Sequence, residues 1–213
     1  MTFSSREEAG RELGQALLDR GIQVDVVLGL PRGGVVVAGE VARILQKPLS
    51  ALVVRKIGHP RHREFAVGAL AEHAVVVLDR AAVAQMQVNR AELDEVIAEE
   101  TARLEKYQAT FHRADNLDLA GKAALLVDDG LATGATTEAA VLSAREQGAR
   151  RVIVGAPVAS VNAFDRLRRV ADDVIALLVD PDFMAVGQYY SEFPQTTDEE
   201  VIALLHAEQF SPK

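Results

Sequence analysis

The segment Leu125-Leu126-Val127-Asp128-Asp129-Gly130-Leu131-Ala132-Thr133-Gly134-Ala135-Thr136-Thr137 decides how the chain folds. The apolar run from Ala123 to Val127 shows no polar alternation and predicts a strand buried on both faces. It delivers two carboxylates to its end. A turn rich in Gly and Thr then opens a helix over Thr136 to Gln147, with Gly148 at its end. The same strand–turn–helix grammar repeats on either side. Upstream, Val24 to Leu28 forms a short apolar run broken by Gly29, Pro31, Gly33 and Gly34; a helix follows over Val35 to Gln46 and Pro48 stops it. Leu49 to Val54 reads as a second buried strand. Downstream come a strand at Val152 to Ala156, a helix capped by Ser160 and running through Val170, and a strand at Val174 to Val179. Val/Leu/Ile runs alternating with helices predict an α/β fold with a parallel, doubly wound, Rossmann-like sheet covered on both faces. Ligands of such folds bind at the carboxyl ends of the strands. Three places qualify: Gly29–Gly34, Arg55–Glu64 and Asp128–Thr137.

The remaining elements are also marked. Ser5 and Glu8 have capping-box spacing, Ala9, Leu13, Ala16 and Leu17 recur at helical spacing, and Gly21 ends that helix. Arg55 to Glu64 is basic, contains Gly58 and Pro60, and is expected to be a mobile loop. Its His59 and His62 have only Glu64 as a nearby acid, a poor metal-ligand set. Phe65 to Ala71 and Ala74 to Asp79 read as two strands joined at Glu72–His73. From 89 to 111 Leu93, Val96, Ile97, Leu104, Tyr107 and Phe111 make one apolar stripe on a long helix, and the charged residues between them read as a solvated face. Thr197 with Glu200 forms another capping box before Val201 to Ala207.

Composition bounds the function. The 213 residues carry 23 basic and 31 acidic side chains, a net charge of −8, which disfavours a nucleic-acid coat or an anionic-membrane binder. With no cysteine, disulfides, thiolate metal sites and a thiol nucleophile are excluded. The start MTFSSREEAGREL has no apolar run resembling a signal peptide, and no stretch approaches the roughly 18 apolar residues of a membrane span, so a cytoplasmic protein is expected.

The chemistry of the first-quoted segment is specific. A helix N-terminus presents unpaired N–H groups and a partial positive charge, which suit a phosphate. Thr133, Thr136 and Thr137 add hydroxyl donors, and Gly134 permits close backbone approach. Asp128 and Asp129 repel a phosphate but accept hydrogen bonds from neighbouring hydroxyl groups. One ligand that combines a phosphate with a vicinal diol is a ribose 5-phosphate unit. The GxxxxGK[ST] lysine of a P-loop is missing.

Asp128 to Thr137 resembles the 5-phosphoribosyl-1-pyrophosphate (PRPP) signature of type I phosphoribosyltransferases. The resemblance implies that Asp128 and Asp129 accept from the ribose 2- and 3-hydroxyls, and that Ala132, Thr133, Gly134, Ala135, Thr136 and Thr137 wrap the 5-phosphate through backbone amides. Hypoxanthine-guanine members usually have Asp where this chain has Ala132, so a 6-oxopurine mechanism does not carry over. Arg32, Gly33 and Gly34 match the family's pyrophosphate loop, often of unusual peptide geometry, and Arg55 and Lys56 fall in its mobile catalytic loop, with Arg61 and Arg63 as further cations. Near the C-terminus Phe183, Tyr189 and Tyr190 are similar to the aromatic residues of a small hood that stacks on the acceptor base.

The resemblance further implies one phosphoribosyltransferase domain over 1–213. Its core spans about 20–180, a helical insertion about 85–115, and a hood draws on both chain ends, including about 181–213. The implied activity is transfer of ribose 5-phosphate from PRPP to a nitrogenous base, with Mg²⁺ held mainly by PRPP and pyrophosphate released. It is the activity of a nucleotide-salvage glycosyltransferase, with a homodimer as the family habit. Gln188 to Glu200 and the long helix resemble a group of predicted phosphoribosyltransferases of unassigned substrate. The competing class is a non-catalytic PRPP-binding regulator. A ribose-phosphate pyrophosphokinase would need an ATP site that the sequence does not display.

Overall fold

Val26–Gly29 (β1) is buried along its whole length and is the second strand of a five-stranded parallel sheet in the computed structural model, which describes residues 2–112 and 118–207. Leu49–Ala51 (β2) flanks it on one side. On the other side follow Ala123–Val127 (β6), Arg151–Ser160 (β7) and Asp173–Asp180 (β8), giving the order β2-β1-β6-β7-β8. Alternate residues feed opposite faces, as a pleated strand requires. Val27, Leu125, Val127 and Ile153 join one core, under the helices Arg6–Asp19 (α1), Gly33–Leu45 (α2) and Asp198–Ala207 (α7). Val26, Leu28, Leu126 and Val154 join the other, under Ala135–Glu146 (α5) and Val161–Leu167 (α6). The parallel, doubly wound arrangement expected from the apolar runs is therefore present. Among the described residues no helix is long and apolar enough to cross a membrane.

Connections leave β1 toward β2 and return to β6 on the opposite side. The carboxyl ends of β1 and β6, with Gly29 paired to Val127, thus form the topological switch point of the sheet. That junction sets the loop Leu30–Arg32 beside the loop Asp128–Gly134.

The segment expected to be a mobile loop over Arg55–Glu64 is instead a hairpin. Val54–His59 (β3) and His62–Ala71 (β4) pair antiparallel, and Val75–Leu78 (β5) completes a separate three-stranded sheet. Gly58 and Pro60 suggest irregular chain, but a hairpin absorbs both. Pro60 sits in the turn, and the register shifts at Gly58, where a Cβ would lie 2.3 Å from the Arg63 carbonyl oxygen. One side of this sheet packs Ala69 and Ala71 on Ala139 of α5. The other contributes Ile57, Val67 and Leu70 to a core with Leu93, Val96, Leu104 and Phe111 of the long helix Arg90–Phe111 (α4), which follows the short helix Arg80–Gln85 (α3).

Other boundaries also move. The strand expected over Leu49–Val54 stops at Ala51, because Val53 N–H turns out of the ladder to the buried Glu72 carboxylate at 2.6 Å. Glu72 also meets His112 Nε2 at 2.8 Å, so a residue expected in a tight turn ties the hairpin sheet to the end of α4. The helix capped by Ser160 ends at Leu167, short of Val170. The Thr197–Glu200 box closes reciprocally, at 2.7 and 3.2 Å. At Ser5 only half of the box forms. Its hydroxyl accepts from Glu8 N–H at 3.4 Å, while the Glu8 carboxylate accepts from Ser4 N–H.

The chain ends meet over the carboxyl edge of the sheet. Phe3 N–H donates to the Tyr189 carbonyl at 2.8 Å, and Ser191 N–H donates to that of Phe3 at 2.8 Å. Phe3, Tyr189 and Tyr190 then pack with Val158 and half-buried Phe183. The expected hood and helical insertion extend into residues 208–213 and 113–115, which lie outside the described residues.

Candidate active site

The fully buried strand β6 projects Asp128 and Asp129 from its carboxyl end. The Asp128 carboxylate turns back to accept from Asp129 N–H at 2.9 Å. Asp129 Oδ2 accepts from Arg6 Nε at 2.8 Å. Both acids keep an accessible face, yet protein surrounds them elsewhere. Burial, and next the charge of Asp129, push the Asp128 pKa well above the usual carboxylate range. Burial also raises Asp129, against the lowering pull of Arg6. These two neighbouring acids are held partly desolvated at one switch point, an arrangement more typical of a ligand site than of a turn.

Past the acids, Gly130 lies under Val186, and Leu131 bridges to Ala159 of β7. Gly134 takes φ +72° and begins α5 without a side-chain cap. The first amides of that helix, on Ala135, Thr136 and Thr137, have no intrahelical acceptor, and those of Thr136 and Thr137 remain available to an anion. Ala132 and Thr133 are exposed and Thr136 half-buried, whereas Thr137 is 1% exposed, so among the threonine hydroxyls those of Thr133 and Thr136 are the accessible donors. The Thr133 hydroxyl accepts weakly from Ala135 N–H at 3.4 Å.

The loop after β1 presses against the acids. A Cβ at Gly33 would lie 2.1 Å from Asp129 Oδ2 and 2.7 Å from Arg6 Nε, and one at Gly34 would lie 2.8 Å from the Val127 carbonyl oxygen. The Pro31–Arg32 peptide is cis, the kind of unusual geometry that the resemblance implied. Gly33→Ala is expected to destabilise the chain by about 1–3 kcal/mol through overpacking. At about 2–4 °C per kcal/mol this is a clear loss in Tm by scanning calorimetry. An unchanged Tm would show that the loop does not rest on Asp129.

Arg6 is the residue that sequence reasoning misses, since its position marks only the start of a helix. It is 8% exposed, its Nη1 donates to the Pro194 carbonyl at 2.7 Å, and its guanidinium lies 3.8 Å from the centre of the Phe193 ring. It therefore couples the N-terminal helix, the C-terminal segment and Asp129. It also lines a cavity of about 430 Å³ with Val36, Gly39, Glu192, Thr196 and Leu204.

The cations of the β3–β4 hairpin are placed by α4. Arg55 Nε donates to Glu100 at 3.0 Å, Arg61 pairs with Glu92 at 2.8 Å and Arg63 with Glu99 at 3.0 Å. The charged residues of α4 form the solvated face expected of them, with buried Glu100 as the exception, and three of its acids also hold the hairpin arginines. Lys56 Nζ donates to the Glu64 carbonyl at 2.5 Å. The C-terminal aromatics take part in packing. Tyr189 is 4% exposed, its hydroxyl donates to Asp180 at 2.7 Å, and burial helps push its pKa up to about 12. Tyr190 is 6% exposed and donates to the Asp129 carbonyl at 2.6 Å, with its ring stacked on Phe193. Phe183 is half-buried against the Tyr189 ring. Tyr190 therefore supports the Asp129 backbone from below.

Residues 5–186 match the family described as "Phosphoribosyl transferase domain". A Mycobacterium tuberculosis protein named "Putative phosphoribosyl transferase Rv0571c" is 44% identical over 204 residues, covering 95% of this chain and 46% of its own length. The chain thus spans about half the length of the curated relatives it matches. The crystal structure of TT1426 from Thermus thermophilus is 44% identical, covers 96% of this chain and 98% of its own, and superposes with a TM-score of 0.78. AQ2163 from Aquifex aeolicus shares the fold alone, at 10% identity and a TM-score of 0.51, over 97% of this chain and 87% of its own. On the match over residues 5–186 and the switch-point geometry that it frames, the chain belongs to the phosphoribosyltransferase family.

Proposed function

We propose that the chain transfers ribose 5-phosphate from PRPP to a nitrogen nucleophile of the nitrogenous-base class and releases pyrophosphate. One observation carries this reading: two partly desolvated acids, a glycine loop packed on them and an uncapped helix N-terminus share one switch point. Asp128 and Asp129 accept from the ribose hydroxyls. The amides of residues 132–137 take the 5-phosphate. Arg32, Gly33 and Gly34 receive the pyrophosphate, where charge grows as the anomeric C–O bond breaks and the new C–N bond forms. Catalysis on this reading is positioning plus stabilisation of the leaving anion, and it needs no nucleophilic side chain.

The donor set fits Mg²⁺ carried on the substrate. Among the described residues no group of three His, Asp or Glu side chains forms a metal cage, and Asp128 and Asp129 are the acids at the cradle. Mg²⁺ bound with PRPP supplies charge neutralisation on the pyrophosphate. The burial of the Tyr189 and Tyr190 rings favours the Arg6 cavity, lined by both chain ends and α2, as the room for the acceptor, with half-buried Phe183, which packs on Tyr189, as a lesser candidate.

Lys56 reaches only a backbone carbonyl in this structure and can turn to the leaving group at little cost. Lys56→Ala is expected to lower kcat about 100-fold or more with a smaller change in PRPP affinity, as for an interaction made mainly in the transition state. Steady-state kinetics beside direct titration of PRPP check this, and equal losses in both would reduce Lys56 to a binding residue. The activity itself is tested by pyrophosphate release with adenine, orotate, uracil, xanthine and hypoxanthine. Release with one of them supports the proposal, and silence with all beside tight PRPP binding replaces it with a PRPP sensor.

A further inference from the structure

Three cavities meet around Arg55. One of about 130 Å³ is bordered by Pro31, Arg32, Arg55 and Tyr107, and so touches the pyrophosphate loop. The next, about 360 Å³, shares Arg55 and Tyr107 and adds Arg103, Lys106, Thr110 and Asp198. A third, about 390 Å³, shares Arg55 and Arg103 and holds Lys56 and Arg63. The loop after β1 is thereby continuous with the C-terminal half of α4, a helix to which no ligand role has been given.

The charges along this channel do not balance. Glu100, 6% exposed, is gripped by two guanidiniums, Arg55 Nε at 3.0 Å and Arg103 Nη1 at 2.6 Å. Lys106 has no acidic partner among the described residues. Arg32 faces Asp198, whose Oδ1 lies 3.5 Å from Arg32 Nη1, is buried and makes no hydrogen bond. Six cations (Arg32, Arg55, Lys56, Arg63, Arg103 and Lys106) thus face three carboxylates (Glu99, Glu100 and Asp198), in a chain whose net charge is −8. Like charges gathered around a cavity repel unless an anion joins them, and a buried carboxylate that holds two guanidiniums fixes their positions before the anion arrives. A compact polyvalent anion fits this cation set better than a nucleic acid, which the overall negative charge repels.

We propose that α4 forms the outer wall of the pyrophosphate site. Arg103 and Lys106 bind the diphosphate directly, and Glu100 acts as a positioning residue that holds Arg55 toward it. The inference rests on the PRPP reading above and extends it to a helix outside the recognised motifs. Asp198 opposes the diphosphate electrostatically and occupies Arg32 in its absence.

The test is calorimetric titration of the full chain with Mg²⁺-pyrophosphate and, separately, ribose 5-phosphate. Lys106→Ala and Arg103→Ala are each expected to weaken pyrophosphate binding about tenfold, and Lys106→Glu more than either, as loss of a charge-assisted contact predicts. Ribose 5-phosphate affinity should not change, which also shows that the variants are folded. Asp198→Asn is expected to tighten pyrophosphate several-fold, an effect that a merely structural role would not give. Wild-type pyrophosphate affinity in all three α4 variants would overturn the proposal, as would equal weakening of both ligands. A wild-type chain that binds ribose 5-phosphate but not pyrophosphate also overturns it and leaves the cradle intact, whereas a wild-type chain that binds neither overturns the PRPP reading itself.

Discussion

Asn at both Asp128 and Asp129 is expected to abolish the rise in melting temperature that Mg²⁺ with PRPP gives the wild-type chain. A ligand selective for the native state stabilises it by about 2.7 kcal/mol at one hundred times its Kd. For a chain of this size that is about 5–10 °C, well within calorimetric reach. A diol offers two donors, and the carboxylates that would receive them sit at the end of β6, partly stripped of water and hence strong acceptors once engaged. Asn keeps the shape but loses the charge and turns one oxygen into a donor at each position. An undiminished shift in the double variant would remove the diol assignment.

The second large effect is on stability, and it has opposite signs at two residues of the same site. Arg6→Ala is expected to cost about 3–5 kcal/mol, because it leaves the Asp129 carboxylate buried without its cation and removes the tie to Pro194 and Phe193. The corresponding loss is on the order of 10 °C in Tm. Asp128→Asn is expected to raise the Tm of the ligand-free chain at neutral pH by a few degrees. The sign follows from linkage. Burial lifts the Asp128 pKa in the folded state above its unfolded value, so the native chain holds that proton more tightly. The favourable contribution is fully present below the unfolded pKa and is lost as pH rises through the folded one, so a cost has accrued by pH 7. Asn is neutral throughout and carries no such cost, so its advantage over Asp should shrink on acidification. A lower Tm for Asp128→Asn at pH 7 would contradict this account, which treats Asp128 as an acid kept at the expense of stability.

These two predictions draw on unequal kinds of information. The cradle is legible in the sequence because everything in it is local: an apolar strand, two acids, glycines and a helix start within thirteen consecutive residues. Ser160, Thr197 and Glu200 are legible for the same reason, since a cap is a short-range bond. Arg6 is not, because its partner lies 123 positions away and a charged residue in a first helical turn ordinarily faces water. Glu100 and Glu72 are hidden in the same way. Nothing in the spacing of α4 distinguishes Glu100, which grips two arginines, from the exposed Glu95. Gly58 and Pro60 point to a loop because the sequence cannot show a bulged hairpin that accommodates both. The tyrosines illustrate a further limit. Adjacent aromatic residues announce a cluster, but only the fold decides that the Tyr190 hydroxyl is spent on the Asp129 carbonyl and its ring on Phe193.

Asp128 and Asp129 lie beside Gly33 and Gly34, and Asp129 is supported from the opposite end of the chain by Arg6 and by the Tyr190 hydroxyl. Arg55, Arg61 and Arg63 of the hairpin pair with acids of α4, which is why the proposed diphosphate wall includes a helix outside the motifs.

The most direct measurement is a crystal structure of the chain with Mg²⁺ and PRPP. The account predicts the ribose 2- and 3-hydroxyls within hydrogen-bonding distance of Asp128 and Asp129, the 5-phosphate on the amides of residues 132–137, and the diphosphate between Arg32 and Arg55. A sugar phosphate bound elsewhere, or bound here with its phosphate turned toward the two acids, would contradict it.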